Sequence, residues 1–387
     1  MIVTGARLVP VRSRRRTGSI SVHVIVLLDT DEGLVGLGEM SDLDCYRMHL
    51  PDLDALETAV LHVMVGFDPT RHGELHRRLH ALMPSYLRSS VAYPPFSLAS
   101  QLAAALDMAC YDLAGKQLGA PVSALLGGRS RERLEMAYPL FPASSSEDVP
   151  RVLDAVAELV GLGVTRFRYY VGVDCDADEE LLDALTSRFA GAVELKGLDF
   201  QGRFYWKDAL AHYERLRPYG VELIESVSWR EDLEGMAEVR RRAGAAVSEH
   251  VSSYAQAMRL IRADAVDVFN VMHNSAGLWG ASRLLAVADA AGLKSLLGTT
   301  QELAIGTAAV AHLGASAAEL HYAGDAVGPL LYLDDVVGSG VRFDGLTLEV
   351  PTGPGLGVSI DEELLERARG SLVEWERPAH LEGYVGQ

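Results

Sequence analysis

The sequence is poor in cysteine and has no long hydrophobic run. Its 387 residues include three cysteines, Cys45, Cys110 and Cys175, which lie far apart and form no CxxC pair. This pattern argues against a disulfide scaffold or a zinc knuckle and favours a reducing compartment. No stretch approaches the roughly 20 apolar residues that span a bilayer, and the N-terminus lacks the order of a secretory signal. We therefore expect a cytoplasmic protein without a membrane partner.

Positive charge is also scarce. Lysine and arginine number 35 against 53 aspartate and glutamate residues, so the net charge is −18. Because phosphate binding needs a basic surface, we expect no nucleic-acid partner. The composition, 49% hydrophobic and 23% charged, is that of an ordinary globular protein. A chain of this length predicts one large barrel or two domains.

The first third of the chain has the pattern of an α+β unit. Residues 1–40 hold three apolar or alternating runs, the last two joined by the turn DTDEG, which predicts three strands. Residues 52–118 then switch to the spacing of amphipathic helices,. We interpret this unit as a domain separate from the rest of the chain.

Eight short apolar runs follow, most of them separated by an amphipathic helix. They lie at 134–141, 165–172, 192–199, 221–226, 245–250, 266–271, 294–299 and 318–324. Strands alternating with helices in this way predict an α/β fold of the (β/α)8-barrel type. The rival fold, a doubly wound sheet, normally opens with a GxGxxG turn, which this sequence lacks. We expect a capping domain at 1–128, a barrel at 129–340 and a C-terminal segment at 341–387 that packs back on the cap.

Functional side chains of a barrel collect where its strands end. The second strand ends with Arg168 and Tyr170, which share a face because they are two residues apart,. The next three strands end with Asp199, Glu225 and Glu249, at spacings of 26 and 24 residues that each equal one βα step. Three carboxylates that meet at one point need a cation among them. Oxygen ligands favour a hard ion, so the pattern predicts a Mg²⁺ site.

Two assignments at these strand ends stay open. In the block VSEHV, either Ser248 or Glu249 takes the position of the third ligand, and we assign Glu249 because serine is a weak Mg²⁺ ligand. Lys196, three residues before Asp199, either neutralises the site from below or pairs with a carboxylate of the barrel interior. A single carboxylate would be as well explained as a solvated loop residue, but three in register favour the metal site.

With these strand-end carboxylates, a dyad on the second strand and a separate cap, the chain resembles the enolase superfamily of mandelate racemase and muconate lactonizing enzyme. In the racemase and muconate cycloisomerase branches the dyad is Lys-x-Lys, and the sixth strand offers a Lys or Asp. Here the dyad is Arg168-x-Tyr170, and we align Met272 with the sixth-strand base. Five blocks instead resemble a galactarate dehydratase branch: GEMSD (38–42), FRYYVG (167–172), SEHV (248–251), LGTTQEL (297–303) and GTAAVAHLG (306–314).

The resemblance implies Mg²⁺-dependent dehydration of an acid sugar, with galactarate as the first candidate substrate and Tyr170 as the base. Removal of the proton next to a carboxylate gives a metal-stabilised enolate, and loss of the β-hydroxyl then gives a 2-keto-3-deoxy acid. A tyrosine is a poor base because its pKa is near 10. Arg168, a permanent cation, favours the phenolate, although a buried tyrosine capped by an arginine is the plainer alternative.

The general acid for the leaving hydroxyl has several candidates: Tyr170 itself, His273 after the sixth strand, or Tyr86 or Tyr93 in a loop of the cap. Further substrate contacts are expected from the basic cap turn, the fifth strand, the third strand and the segment after the seventh strand. These residues are Arg14, Arg15, His250, Lys196 and Gln301. For most arginines of the turn, a solvated surface is the better explanation.

Other functions on the same scaffold also fit the sequence. One is a dehydratase, epimerase or isomerase that acts on a different acid sugar, although the absence of a second base disfavours the epimerase. Another is an inactive barrel that binds a metal without turnover. We expect a small-molecule aldarate substrate and a homo-oligomer, since helix-covered barrels often assemble.

Overall fold

The computed structural model describes residues 1–43, 52–82 and 97–369. The N-terminal part is an antiparallel sheet with strand order β1-β2-β3, packed against helices. Its strands are β1 (Val3–Arg14), β2 (Ile20–Thr30) and β3 (Val35–Met40). Its helices are Leu53–Met64, His72–Leu82, Leu98–Leu118 and Val122–Leu125.

The long helix Leu98–Leu118 packs directly on strand β3. It begins at Ser97, whose side chain forms a reciprocal capping box with Ser100, an arrangement that satisfies the first free N–H groups. A Cβ on Gly38 would lie 2.0 Å from a backbone carbonyl oxygen of this helix. Only glycine therefore permits such a close approach of strand and helix.

The second part is a curled parallel sheet of seven strands in the order β11-β10-β9-β8-β7-β6-β5. The strands are β5 (Tyr138–Leu140), β6 (Arg166–Tyr170), β7 (Glu194–Asp199), β8 (Leu223–Glu225), β9 (Ala246–Val251), β10 (Val268–Val271) and β11 (Lys294–Leu297). Residues 321–325 close the barrel. They bond to Ser295 and Leu297 on one side and to Glu135 and Ala137 on the other.

Helices cover the outside of this barrel, most of them after a strand. They are Val149–Gly161, Cys175–Arg188, Trp206–Leu216, Leu233–Ala243, Tyr254–Arg262, His273–Ala290, Ala304–Ser316 and Gly328–Leu331, with short 3₁₀ turns at Ser146–Asp148 and Arg217–Tyr219. Asp174, Asp232 and Ser253 cap the N-termini of three of them through their side chains,. Within the described residues, no helix has both the length and the apolar character needed to cross a bilayer.

Two of the eight predicted barrel strands differ in the structure. The run at 134–141 divides into β4 (Arg133–Glu135) and β5, because β4 pairs antiparallel with residues 347–349 while β5 pairs parallel with β6. The run at 318–324 forms no strand and contributes a single bridge from Gly324 to Met136. The barrel-type architecture is confirmed all the same.

The C-terminal segment contributes a hairpin and a helix. The hairpin strands β12 (Arg342–Asp344) and β13 (Thr347–Glu349) extend β4, and the helix Glu362–Arg369 packs on β1 of the cap. The segment therefore touches both parts of the chain. The boundaries expected at 128 and 340 remain predictions.

The cap and the barrel meet through buried polar groups. Glu39, at 1% exposure, accepts hydrogen bonds from the N–H groups of Leu303 (2.7 Å) and Gly306 (2.8 Å) at the start of the helix Ala304–Ser316. A carboxylate there satisfies free N–H groups and the positive end of the helix dipole. Ser41 of the cap also bonds to Thr300 beyond β11. These contacts fix the cap over the C-terminal ends of the strands.

Candidate active site

Four residues form a row across neighbouring strands at the C-terminal end of the barrel. Tyr170 pairs with Asp199, Asp199 with Glu225, and Glu225 with Ser248 in the registers of β6 to β9. Parallel strands place such partners side by side. The structure thus brings together the second-strand tyrosine and two of the three predicted carboxylates, and the fifth-strand member of the row is Ser248.

Arg168 and Tyr170 form a direct contact inside the barrel. Both side chains are buried, and Arg168 Nη2 donates a hydrogen bond to the Tyr170 hydroxyl. The guanidinium carbon also lies 4.7 Å from the centre of the phenol ring, within cation–π range. The ring also stacks on Phe141, with centroids 5.6 Å apart and planes within 2°. The phenol is therefore held by an arginine and an aromatic ring.

The same guanidinium pairs with two carboxylates. Arg168 Nη1 lies 3.1 Å from Asp325 Oδ2 and 3.5 Å from Glu225 Oε1. Asp325 also binds Lys196, with 2.7 Å between Nζ and Oδ1. Burial alone would lower the pKa of Arg168, but Asp325, Tyr170 and Glu225 raise it above its ordinary value. Of the two roles left open for Lys196, the structure shows the pairing with an interior carboxylate.

Asp199 and Glu225 are adjacent, buried carboxyl groups whose pKa values are shifted in opposite directions. Burial, and then the charge of Glu225, raise the pKa of Asp199 above its ordinary value. Burial would also raise the pKa of Glu225, but His250, Arg168 and Lys196 lower it below that of a free glutamate. Of two like carboxyl groups buried together, Asp199 is therefore the one that holds a proton more tightly,.

Besides Arg168 of β6, Glu225 is surrounded by donors from two further strands, β9 and β10. Its Oε2 accepts from Asn270 Nδ2 at 2.7 Å and from Ser248 Oγ at 3.3 Å. Its Oε1 lies 3.2 Å from His250 Nε2. Ser248 and His250 are two residues apart on β9 and so share the face that meets Glu225.

Glu249, the predicted third ligand, is turned differently. Side chains alternate along a strand, so it lies on the face opposite Ser248 and His250. Its Oε1 lies 3.3 Å from Arg230 Nη2 and accepts from Ser226 Oγ at 3.3 Å and from the N–H of His250 at 2.8 Å. Burial alone would raise the pKa of Glu249, but Arg230 and His250 lower it. Its negative charge is thus already matched by Arg230.

The donor set suits a divalent cation, although its ligands are not gathered into a preformed cluster. Asp199 and Glu225 are adjacent in the strand register and supply hard carboxylate oxygens,. His250 reaches Glu225 from the next strand and, with Ser248, lies on the face of β9 that meets Glu225. Among the described residues, three potential metal ligands lie within 4.8 Å of one another at a different place, formed by Cys175, Asp178 and His212. There Asp178 already accepts hydrogen bonds from the Tyr169 hydroxyl and the N–H of Gly172.

His273, predicted as a general acid, lies at the end of the sixth strand. It is 1% exposed, and neither ring nitrogen has a hydrogen-bond partner among the described residues. Burial lowers its pKa to about 3, so the ring is neutral. Buried polar atoms are rarely left unpaired, which makes this imidazole a candidate to meet a ligand. Met272 beside it packs into the core of the cap.

The predicted substrate residues of the cap have other partners. Arg15 is 4% exposed. Its guanidinium lies 2.6 Å from Asp42 Oδ2 and donates to the side chain of Gln301. Arg14 is exposed. Arg15 and Gln301 thus join the cap to the barrel, and their contact with substrate stays a prediction. Tyr86 and Tyr93 lie outside the described residues.

Three site residues were not predicted from the sequence. Asp325 directly follows the eighth apolar run, so the strand-end rule already pointed to it. Asn270 lies within β10, where a polar residue in a buried strand was the available signal. Phe141 ends the first run and gives no signal of its own, because an aromatic residue there fits any core.

Comparison with known families assigns the chain. Residues 1–127 match the mandelate racemase / muconate lactonizing enzyme, N-terminal domain family, and residues 151–364 match the enolase C-terminal domain-like family. The chain belongs to the enolase superfamily. Its members are enzymes, and the superfamily is typically Mg²⁺-dependent.

Relatives in this superfamily cover nearly the whole chain. Muconate cycloisomerase 1-1 of Acinetobacter lwoffii is 30% identical over 355 residues, 91% of this chain and 90% of that protein. The N-succinyl-L-Arg/Lys racemase of Bacillus cereus is 24% identical over 351 residues, 89% of each.

Solved structures agree on the fold. The muconate lactonizing enzyme of Pseudomonas putida superposes with a TM-score of 0.83 at 22% identity, covering 95% of this chain and 99% of that one. The muconate cycloisomerase of Pseudomonas fluorescens gives a TM-score of 0.81 at 25% identity, covering 95% and 98%. The enolase-superfamily fold, with a capping domain and a barrel, is thereby confirmed.

Proposed function

We propose that this enolase-superfamily enzyme is a Mg²⁺-dependent dehydratase of an acid sugar, with galactarate as the first candidate. The observation that carries the proposal is the contact of Arg168 with the Tyr170 hydroxyl, in register with Asp199 and Glu225. A phenol held by a permanent cation beside a carboxylate pair is suited to removing a weakly acidic proton. The relatives named above are isomerases, so the dehydratase assignment rests on the residues of the site.

Tyr170 is the proposed base. Its ordinary pKa near 10 leaves little phenolate at neutral pH, and the adjacent Arg168 guanidinium favours the charged form. The phenolate takes the proton from the carbon next to the substrate carboxylate. The electrons of the broken C–H bond move toward the carboxylate and give the enolate. Phe141 stacks flat on the ring and keeps it from turning away.

Asp199, Glu225 and His250 are the proposed holders of the Mg²⁺ ion. They fit because two of them are adjacent buried carboxylates and the third lies, like the weaker ligand Ser248, on the face of β9 that meets Glu225. The Glu249 assignment made from the sequence is replaced in this proposal, since Glu249 pairs with Arg230. When bound, a hard divalent ion supplies the positive charge that stabilises the developing enolate.

Protonation of the leaving hydroxyl completes the elimination, and the enol that forms then ketonises to the 2-keto-3-deoxy acid. Tyr170, having taken the carbon-bound proton, is a group that can return it to the β-hydroxyl, which leaves as water while the C2–C3 double bond forms. His273 is neutral, because burial lowers its pKa to about 3, and a neutral imidazole is a weak acid. We therefore assign His273 a hydrogen bond to a substrate hydroxyl and assign the proton delivery to Tyr170.

A cycloisomerase is the second candidate. It is favoured by the 30% identity to a muconate cycloisomerase over 91% of this chain. That reaction adds a carboxylate oxygen to a double bond and needs a proton donor next to the new enolate. A tyrosine in place of a lysine, and a neutral His273 at the sixth strand, argue against a close copy of it.

The test is a screen of the purified protein with Mg²⁺ against mono- and diacid sugars and cis,cis-muconate. A 2-keto acid product is detected with semicarbazide, and loss of muconate by its ultraviolet absorbance. The proposal predicts 2-keto product from galactarate or a related aldarate, and none without the metal.

Different outcomes point to different corrections. Turnover of another acid sugar keeps the mechanism and changes the substrate. Consumption of muconate without any 2-keto product contradicts the dehydratase. Binding of Mg²⁺ without turnover of any acid favours the inactive barrel.

A further inference from the structure

We propose that Asp325 is the positioning residue of the dyad, a carboxylate that aims the Arg168 guanidinium at the Tyr170 phenol. The inference rests on the proposed function of the dyad and assigns a role to a residue that the reaction itself does not require. In the proposed reaction Asp325 neither donates nor accepts a proton. Its function is to hold one cation in one orientation.

The geometry of Asp325 is that of a buried clamp. It is 1% exposed, and its two oxygens serve different cations: Oδ1 binds Lys196 Nζ at 2.7 Å and Oδ2 binds Arg168 Nη1 at 3.1 Å. Its backbone N–H donates to the carbonyl of Leu297 at the end of β11. The carboxylate is therefore fixed from both its backbone and its side chain.

Arg168 has a choice of two carboxylates. Its Nη1 lies 3.1 Å from Asp325 and 3.5 Å from Glu225, whereas Nη2 donates to Tyr170. The guanidinium is planar, so fixing Nη1 also fixes the direction of Nη2. Without the nearer carboxylate, attraction to Glu225 would rotate the plane and carry Nη2 away from the phenol.

Lys196 completes the arrangement. Lys196 donates to Oδ1 of Asp325. The other oxygen, Oδ2, accepts from Arg168, so the carboxylate is held in one orientation. The buried charges also balance locally, since the two cations, Arg168 and Lys196, are matched by two carboxylates, Asp325 and Glu225. Buried ionic groups of this kind often serve specificity of geometry more than stability.

The experiment compares the wild type with Asp325→Asn, Asp325→Glu and a control, Asp112→Asn. In asparagine an NH₂ group, which donates, replaces one carboxylate oxygen, so Lys196 and Arg168 no longer have two separate accepting oxygens. Asp112 of the cap is also a fully buried carboxylate that pairs with a lysine, Lys116, at 2.6 Å, and it lies in the cap helix. Both Asn variants should lose some stability. The two variants are therefore distinguished by their kcat and KM values, not by stability.

A drop in kcat of about 10- to 100-fold is expected for Asp325→Asn, with KM within about threefold, because misaiming by about 1 Å costs that much. Asp325→Glu should recover part of kcat, and Asp112→Asn should stay within about twofold of the wild type. Crystal structures should show the Arg168 guanidinium of Asp325→Asn turned toward Glu225.

Two results would overturn the proposal: an unchanged kcat in Asp325→Asn, or an Arg168 guanidinium that keeps its place on Tyr170 in that variant. The structural comparison needs no substrate. If the wild type turns over none of the acids, the proposed function fails, and the position of Arg168 still decides the role of Asp325.

Discussion

Arg168 and Tyr170 lie two residues apart on β6, and the guanidinium of the first donates a hydrogen bond to the hydroxyl of the second. The pair stands in the place where other branches of the superfamily carry two lysines. A lysine dyad offers two exchangeable bases, whereas this dyad offers one phenol and one cation that does not titrate at working pH. We infer from this difference that proton transfer takes place on one side of the substrate.

Removal of the phenol tests the base. Tyr170→Phe should lower kcat by about 10²- to 10⁴-fold, because general base catalysis contributes that much. Steady-state kinetics and circular dichroism on the same preparation measure activity and fold. Tyr169→Phe is the matched control, since Tyr169 is also buried but bonds to Asp178 at 2.6 Å. It should cost about 1–3 kcal/mol of stability and leave kcat nearly unchanged. Equal kcat losses in the two variants would contradict the assignment.

Replacement of Arg168 by lysine tests whether the planar shape of the guanidinium matters in addition to its charge. Arg168→Lys keeps the charge, but one ammonium cannot bind Asp325 and Glu225 while donating to Tyr170 as a planar guanidinium does,. We expect kcat to fall by about 10²-fold. If Arg168→Lys retained full activity, charge alone would explain the role of this residue.

Metal affinity distinguishes the two candidates for the third ligand. His250→Ala should weaken Mg²⁺ binding by about tenfold or more, and Glu249→Gln by less, because Glu249 is paired with Arg230,. Calorimetric titration of the metal-free protein measures both without substrate. Asp199→Asn should weaken binding at least as much as His250→Ala. A stronger effect of Glu249→Gln would restore the assignment made from the sequence.

Stability should depend on pH through Glu302. Burial raises the pKa of this carboxyl from 4.5 to about 7, against hydrogen bonds from Thr299 and Thr300 that lower it. The folded state thus holds the proton more tightly than the unfolded state. The stability from Glu302 is present below the unfolded pKa and is lost as pH rises through the folded value.

Urea unfolding of the wild type and of Glu302→Gln measures this contribution. From about pH 5 to pH 7, wild-type stability should fall relative to the variant by on the order of 1 kcal/mol per pH unit. Above that range the difference should level off. Parallel curves for the two proteins would mean that Glu302 is ionised in the fold.

Much of the barrel end was predictable from the sequence. The positions of Arg168, Tyr170, Asp199 and Glu225 followed from strand ends one βα step apart, because parallel strands in a barrel place those ends together. The two neighbouring strands that carry Asp199 and Glu225 are indeed in register. This rule can be applied when the end of each strand is known to within a residue or two.

The third ligand position was harder to predict for a physical reason. A shift of one residue moves a side chain to the other face of a strand, and VSEHV offers a polar residue on both faces. The sequence alone therefore left Ser248 and Glu249 as the alternatives and did not point to His250 as a ligand. Asp325 directly follows the eighth predicted strand, where the strand-end rule pointed, but it was not selected from the sequence,. The sequence also gives no sign of the partners of Arg15, since Asp42 and Gln301 lie 27 and 286 residues away in the chain.

The most direct test of the central claim is proton NMR of galactarate with Mg²⁺ in deuterated water. The account predicts that the signal of the proton next to the carboxylate disappears with the wild type as 2-keto product forms. It also predicts that this signal persists with Tyr170→Phe. Loss of the signal at the same rate in both proteins, or its persistence in both, would contradict the role given to Tyr170.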